Sequence, residues 1–319
     1  MRNTSRLLGL LIGLLFVGQP ALAQAPLAPL PKPEPSKFLR LLRNDQKEPI
    51  ALQTTITRYV PAKGEGGVVV DLIGVVHIGD RDYYEKLNKH FEQYDVLLYE
   101  LVAPKGMEVP KRGQKSDNPL ALLQQLAKSV LDLEGQMDHI DYTKKNFVHA
   151  DLSPEEMAKI MRERGDDEVT LMLSITADLL RQYNLQRREM PDKPAPVVDL
   201  EDDFLTLLLD PRGPAKLKIM LAQQFETLDS PDGGLGQTIN TILISDRNQA
   251  AMKVFQKELA QGKKKIGIFY GAAHMPDFEK RLRADWGLKK DSEQWLTAWD
   301  LRRNRSALEG VLRILDQLP

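Results

Sequence analysis

Two apolar runs in this chain end in the same corner. LIGVVHIGD (Leu72–Asp80) and FYGAAHMPD (Phe269–Asp277) both read G-x-x-H, then an apolar residue, one spacer and an aspartate. A short run that is apolar throughout and is closed by a turn residue predicts a strand covered on both faces. Strands of that kind belong to sheets flanked by helices. The pattern therefore confines the chain to the α/β class, and each time it places one of only five histidines at the strand end.

The neighbouring segments fit the same class. Ile50–Val60 alternates as a strand, with Thr54, Thr55 and Thr57 favouring the pleat, and Gly64–Gly67 reads as a turn before the strand Val68–Val76. Asp80 stands at the N-cap position of a helix over Arg81–Gln93, whose Tyr84, Leu87 and Phe91 fall at helical spacing. Val96–Tyr99 follows as a wholly apolar strand. Strand, helix and strand in this order form a βαβ unit. Later in the chain a long helix over Gln237–Gln261 leads into the strand Lys265–Tyr270, and Pro276 opens a further helix. A strand over Gln294–Leu301 and a helix over Ser306–Leu315 close the pattern.

Between these halves the pattern is mostly helical, with runs at Pro119–Leu133, Pro154–Arg164, Glu168–Tyr183, Asp202–Leu209 and Pro214–Leu228. Ser153-Pro154-Glu155-Glu156 is a capping box with proline in the first turn. Because strands resume afterwards, residues of about 105–235 read as a helical insertion in a single domain spanning 38–319. A chain of 319 residues is long enough to bury a sizeable core.

Residues 1–23 read as a secretory signal peptide. Arg2 and Arg6 precede the apolar run Leu7–Val17, and Ala21-Leu22-Ala23 is a small-x-small cleavage site. An uncleaved anchor is the alternative, but the run is short for a bilayer span. Residues 24–37, with Pro26, Pro29, Pro31, Pro33 and Pro35, read as an extended linker. The expected location is therefore periplasmic or extracellular, with no stable membrane insertion after cleavage. The chain has no cysteine, which argues against a disulfide framework, a thiol nucleophile or a lipoprotein anchor. A formal net charge of −1, with Lys and Arg evenly spread, argues against nucleic acid as a partner.

The candidate site follows from this map. His77, Glu100 and His274 each stand just past the carboxyl end of a predicted buried strand, the edge at which open α/β sheets bind ligands. Two imidazoles and a carboxylate there suit a divalent metal ion or acid–base chemistry. Gly74 and Gly271, three residues before the histidines, are expected to let the chain turn sharply and neighbours approach the backbone. Arg247 lies in the apolar stripe Leu243, Ile244, Ala251, Val254 and Phe255, where an unpaired charge costs several kcal/mol by order of magnitude. Glu100 or a substrate carboxylate is its natural partner. Each has a plainer reading: a hydrogen-bonded structural histidine, a capping glutamate, an arginine that snorkels to the surface. The repeated corner, the shared edge and the misplaced charge together favour a site. Elsewhere His90 reads as solvated. His139, Asp141, Tyr142, His149 and Asp151 read either as a cleft lining or as a loop feeding the Ser153 cap, the latter being preferred. Asp80 and Asp277 read as helix N-terminal residues. Asp232–Gly236 (DGGLG) reads as a hinge.

With these residues in view, the chain resembles the TraB/PrgY/GumN family, related to the Tiki proteases. The resemblance rests on Gly74–His77, Gly271–His274, the strand end Val96–Glu100 and the arginine of Ser245–Met252 (SDRNQAAM), and runs from about Val68 to Leu282. This chain carries Asp246-Arg247 where members more often carry Glu-Arg. The resemblance implies an α/β fold of the erythromycin-esterase/ChaN-like kind, with a central mixed, mainly parallel sheet flanked by helices. It also implies that the two histidines, Glu100 and Arg247 surround one pocket. In the Tiki branch it implies divalent-metal-dependent peptidase activity, and in the TraB branch inhibition of a peptide pheromone.

The expected function is thus an exported hydrolase cleaving a peptide or a small amide or ester. His77, Glu100 and His274 would hold a metal ion, with Arg247 orienting Glu100 or meeting negative charge on the substrate oxygen. In a metal-free version, histidine is the base, Glu100 its orienting partner and Arg247 the oxyanion group. The alternative is a periplasmic binding protein that sequesters a peptide, haem or metal without turnover.

Overall fold

The computed structural model describes residues 38–63, 67–103, 131, 133–164, 213–228 and 244–302. The expected signal peptide and linker, the helices expected at Glu168–Tyr183, Asp202–Leu209 and Ser306–Leu315, most of Pro119–Leu133 and the DGGLG run lie outside them. Among the described residues, no helix is long and apolar enough to cross a membrane.

The antiparallel side of the sheet comes first in the chain: β1 (Leu39–Arg43), β2 (Pro49–Pro61) and, at the far end of the sequence, β9 (Leu288–Asp300). Since β9 pairs with β2 from Ala51 to Pro61, it fills one edge of that strand. β1 and β3 (Val69–Val75) therefore share the other edge, β1 against Pro49–Thr54 and β3 against Ile56–Tyr59. From β3 onward every pairing is parallel: β3 with β8 (Lys265–Gly271), β8 with β5 (Val96–Tyr99), and β5 with β7 (Phe147–His149). The fold is thus α/β, built on a mixed sheet whose centre is parallel.

Strand alternation sorts the core into two layers. Val70, Leu72, Val96, Leu98, Ile266, Ile268 and Tyr270 face one side. They pack there against Ala251, Met252 and Phe255 of α5 (Asp246–Ala260) and Phe278 and Leu282 of α6 (Met275–Ala284). Ile73, Val75, Leu97, Tyr99 and Phe269 face the other side. They meet Tyr84, Leu87 and Phe91 of α1 (Arg81–Phe91) and Ala222 of α4 (Gly213–Leu228). With both faces covered, each buried Leu, Ile or Phe contributes about 1.5–3 kcal/mol relative to exposure, which is why the central strands are apolar throughout.

Several expectations need correction. The middle segment, expected to be mostly helical, also contributes short strands. β6 (Glu134–Gly135) pairs with β4 (Ile78–Gly79), α2 (Gln136–His139) follows it, and β7 joins the main sheet. α3 (Pro154–Glu163) does begin at the expected capping box: Ser153 Oγ accepts from Glu156 N at 3.2 Å, and Ser153 N donates to Glu156 Oε2 at 3.0 Å. Asp80, however, makes no side-chain cap to α1. Its Oδ2 accepts from Asp300 N at 2.6 Å and its Oδ1 faces buried Lys218 Nζ at 3.3 Å, so it ties α1, β9 and α4 together. β9 starts six residues before the expected Gln294, because pairing with β2 holds the polar stretch Leu288–Glu293 extended.

Candidate functional site

Four consecutive parallel strands deliver one polar residue each to the same edge of the sheet. β8 lies between β3 and β5, with Val75 opposite Gly271 and Tyr99 opposite Phe269. His77 follows β3, His274 ends the 3-10 turn Ala272–His274 after β8, Glu100 follows β5, and Asp151 follows β7. Arg247 reaches them from the first turn of α5.

The point where three of them meet is the α-carbon of Gly271. A Cβ placed there would stand 3.4 Å from Glu100 Oε2, 3.6 Å from His77 Nε2 and 3.7 Å from His274 Cδ2. Of the two roles expected of the corner glycine, the close approach of neighbours holds at Gly271 and the need for a sharp turn does not. Gly271 has φ −48° and ψ 140°, which any residue adopts, so what its missing side chain provides is room between these groups. At Gly74 the same construction meets Met275 Cγ at 3.4 Å and Ala272 at 3.5 Å, ordinary contacts that show the second corner packed against the first.

Arg247 is the hub of the charges. Its Nη2 donates to Glu100 Oε1 at 2.6 Å and to Asp151 Oδ2 at 2.7 Å, and its Nε donates to Asp151 Oδ1 at 3.0 Å. Glu100 Oε2 accepts from Gly271 N at 2.6 Å, so both carboxylate oxygens face an N–H donor. Asp151 has no exposed side-chain surface and Arg247 only 10%. Burial works against the arginine's charge, but Asp151 and Glu100 raise its pKa further, so it stays protonated. Burial likewise pushes the Glu100 carboxyl up; the charge of His274 when protonated, Arg247, His77 and the Gly271 N–H outweigh it and hold Glu100 below the ordinary carboxylate value. His274 is lowered to about 4, first by burial and then by Arg247, against the pull of Glu100 and Asp151. At neutral pH it is an uncharged imidazole, and the cation facing Glu100 is Arg247.

The two corners are braced from outside. Around His77 the chain's carbonyls are taken one by one: Val76 O by Tyr84 Oη at 2.9 Å, His77 O by Gln136 N at 2.9 Å, and Ile78 O by Trp299 Nε1 at 2.7 Å. His77 itself is exposed, so the cluster opens to solvent over its ring. His77 Nδ1 meets Gln136 Oε1 at 2.9 Å, and Gln136 Nε2 donates to Tyr142 Oη at 2.6 Å. His274 Nδ1 meets Asn248 Oδ1 at 2.6 Å. Tyr270, held protonated by burial and by the nearby carboxylates Asp151 and Glu100, donates to the Ala150 carbonyl just before Asp151.

All four residues expected at the site are therefore together. Asp151 belongs with them, and Tyr142 stands behind His77. His149 and His139 do not join: His149 Nε2 is at the Leu101 carbonyl, and His139 stacks on Tyr84 beside Glu134. His90 is not solvated but half-buried. Its Nε2 pairs with Tyr94 Oη at 2.9 Å, and burial lowers its pKa. Asp277 sits in the first turn of α6, as expected, and also accepts from Asn248. Gln136 and Asn248 carried no sequence signal; their neighbours on the fold give them their role.

Two imidazoles and a carboxylate are donors that a divalent ion takes. Among the described residues, however, no group of three or more His, Asp or Glu stands in a metal-ligating arrangement. Glu100 is engaged on both oxygens, and Arg247 Nη1 stands 3.5 Å from His274 Nε2, where its charge opposes a second cation. As placed, these side chains do not fit a metal ion. No protein-family model matches the chain, and no curated protein or solved structure shows significant similarity to it.

Proposed function

We propose that this chain is an exported hydrolase of the TraB/Tiki type, cleaving a peptide or a small amide or ester. The observation that supports this reading best is the convergence of His77 Nε2, Glu100 Oε2 and His274 on the space above Gly271, at the ligand-binding edge of a parallel sheet. His77, the solvent-facing member, is the base. It takes a proton from water as the oxygen attacks the carbonyl carbon, then gives a proton to the departing amine or alcohol as the bond to carbon breaks. Glu100, ionised and fixed by Arg247 and the Gly271 N–H, orients the water and the His77 imidazolium. Arg247, locked by Asp151, turns Nη1 into the site, where negative charge on the substrate oxygen develops.

The test is cleavage of a peptide library and of simple esters by the mature protein, compared with His77→Ala and Glu100→Gln. Both variants are expected to lose at least about a hundredfold in kcat/KM. Turnover equal to wild type in both would remove the cluster from catalysis. Assays with and without a chelator, with metal analysis of the purified protein, test the metal-dependent version, which requires Glu100 to leave Arg247.

A second reading, a periplasmic protein that sequesters a peptide, haem or metal, is favoured by one feature: both Glu100 oxygens are already satisfied, as in a rigid holding site. Saturable binding of the same library without product selects it.

A further inference from the structure

The two histidine corners share a second device, which lies behind the rings. Each imidazole places its Nδ1 against a side-chain amide oxygen, Gln136 Oε1 for His77 and Asn248 Oδ1 for His274. Each amide residue also holds the carbonyl of the same histidine. Gln136 does so with its backbone N–H at 2.9 Å, Asn248 with its side-chain Nδ2 at 3.0 Å. The two residues come from unrelated elements, α2 and α5, yet make the same pair of contacts.

The orientation of the Asn248 amide follows from its surroundings. Its Nδ2 faces two acceptors, the His274 carbonyl at 3.0 Å and Asp277 Oδ2 at 2.9 Å. Asp277 Oδ2 is itself held by Arg281 Nε at 2.6 Å. Turning the amide over would set its oxygen against both acceptors, and Asn248 is fully buried, so no solvent relieves that clash. The oxygen must therefore face His274 Nδ1, and a nitrogen 2.6 Å from an acceptor-only oxygen carries the proton. Gln136 is placed in the same way, its Nε2 donating to Tyr142 Oη and its oxygen meeting His77 Nδ1, although a hydroxyl, unlike the two acceptors at Asn248, would also receive the amide turned over.

From this geometry we infer that Asn248 and Gln136 are positioning residues. They hold His274 and His77 as Nδ1–H tautomers, so that both rings present an unprotonated Nε2 to the Gly271 space. The inference rests on the hydrolase reading for its purpose but not for its test. A base or ligand must offer a lone pair, and in this cluster only Nε2 of each ring points inward. Opposite the His274 lone pair stands a donor that suits it, Arg247 Nη1, 3.5 Å from His274 Nε2. The segment carrying Gln136 thus completes the site.

The experiment is a long-range proton–nitrogen correlation spectrum of the histidine side chains in the ¹⁵N-labelled mature protein, recorded at neutral pH without substrate. The expected result is the Nδ1–H pattern for both His274 and His77. Asn248→Asp, which keeps an acceptor at the same place, is expected to preserve the pattern at His274. Asn248→Leu is expected to shift His274 to the Nε2–H form, donating toward Glu100 Oε1, which lies 3.6 Å away. Gln136→Leu is expected to do the same at His77 and leave His274 unmoved. An Nε2–H pattern at either ring of the wild type overturns the inference for that ring, whether or not the leucine variants fold. Unchanged rings in folded leucine variants overturn it as well. Because no substrate is present, absence of turnover bears on the hydrolase reading alone. Where turnover is found, Asn248→Leu is expected to lower kcat by about a hundredfold or more, and Asn248→Asp by far less.

Discussion

A methyl group on Gly271 would make only ordinary contacts, 3.4 to 3.7 Å, with Glu100, His77 and His274. Gly271→Ala should therefore fold with a loss below about 1 kcal/mol, since the backbone there needs no glycine. The methyl would nevertheless occupy the space in which a water or substrate atom must sit. Turnover, or ligand affinity under the binding reading, is expected to fall about a hundredfold at near-constant melting temperature, and wild-type activity would contradict the proposed centre. Asp151 acts through a different property. It is a fully buried carboxylate on a buried guanidinium, and losing one partner of such a pair costs about 3–5 kcal/mol. Asp151→Asn is expected to lower the urea-unfolding free energy by about 3 kcal/mol, with Glu100 compensating the rest; a change under about 1 kcal/mol would show that Glu100 alone suffices. Arg247 was legible because a charge interrupts an apolar stripe, and Glu100 because it ends an unmistakable strand. Asp151 gives a weaker signal because the strand before it, Phe147–His149, has three residues and shows no periodicity.

That three-residue strand shows what element-level reading misses. β7 exists because β5 offers it a parallel edge, with Leu97, Leu98 and Tyr99 opposite Phe147, Val148 and His149. Its own residues carry too little pattern to announce it. The same holds for β9, whose first half, Leu288–Glu293, is mostly charged and reads as a loop until β2 pairs with it. In the fold those charges have a use. Lys289 to Gln294 are exposed, and among the described residues β9 pairs only with β2, so they line an outer edge where charge discourages a second chain. Replacing Lys289 and Asp291 by valine is expected to promote concentration-dependent association, visible by light scattering, while far-UV circular dichroism stays unchanged. A variant whose scattering stays that of wild type at high concentration would show that the edge is protected otherwise. The buried strands β3, β5 and β8, by contrast, were read to within a residue or two at each end. Their apolar runs state their environment directly.

For the molecule as a whole, the buried histidine sets how stability responds to acid. The folded-state pKa of His274, about 4, lies below its ordinary 6.5. As pH falls from 6.5, the unfolded chain takes up the proton first, so stability present at pH 7 declines toward pH 4 and levels off below. Half-buried His90, lowered in the same direction, adds to this window. Glu100 acts lower: its stabilising contribution is full above the ordinary carboxylate value of 4.5 and disappears as pH falls through its depressed one. The His274 part amounts to about 3 kcal/mol at most. Urea midpoints measured from pH 7 to pH 4 should fall in wild type and fall distinctly less in His274→Gln; parallel curves would place the titration elsewhere.

The order of strands across the sheet carries one more consequence, for how the chain reaches this state. β3 and β5 are joined by α1 and lie close together in sequence, yet β8 stands between them, and its Gly271 N–H finds Glu100 171 positions earlier in the chain. A strand that must enter between two neighbours already linked by a helix cannot be added at an edge. Until it arrives, β3 and β5 either wait with open hydrogen-bonding edges or pair with each other and must be separated again. Contacts this distant in sequence close slowly. Insertion of β8 is therefore a late step of folding, and the same step brings His274 to Glu100. A chain trapped before it would hold its early strands and lack its chemistry.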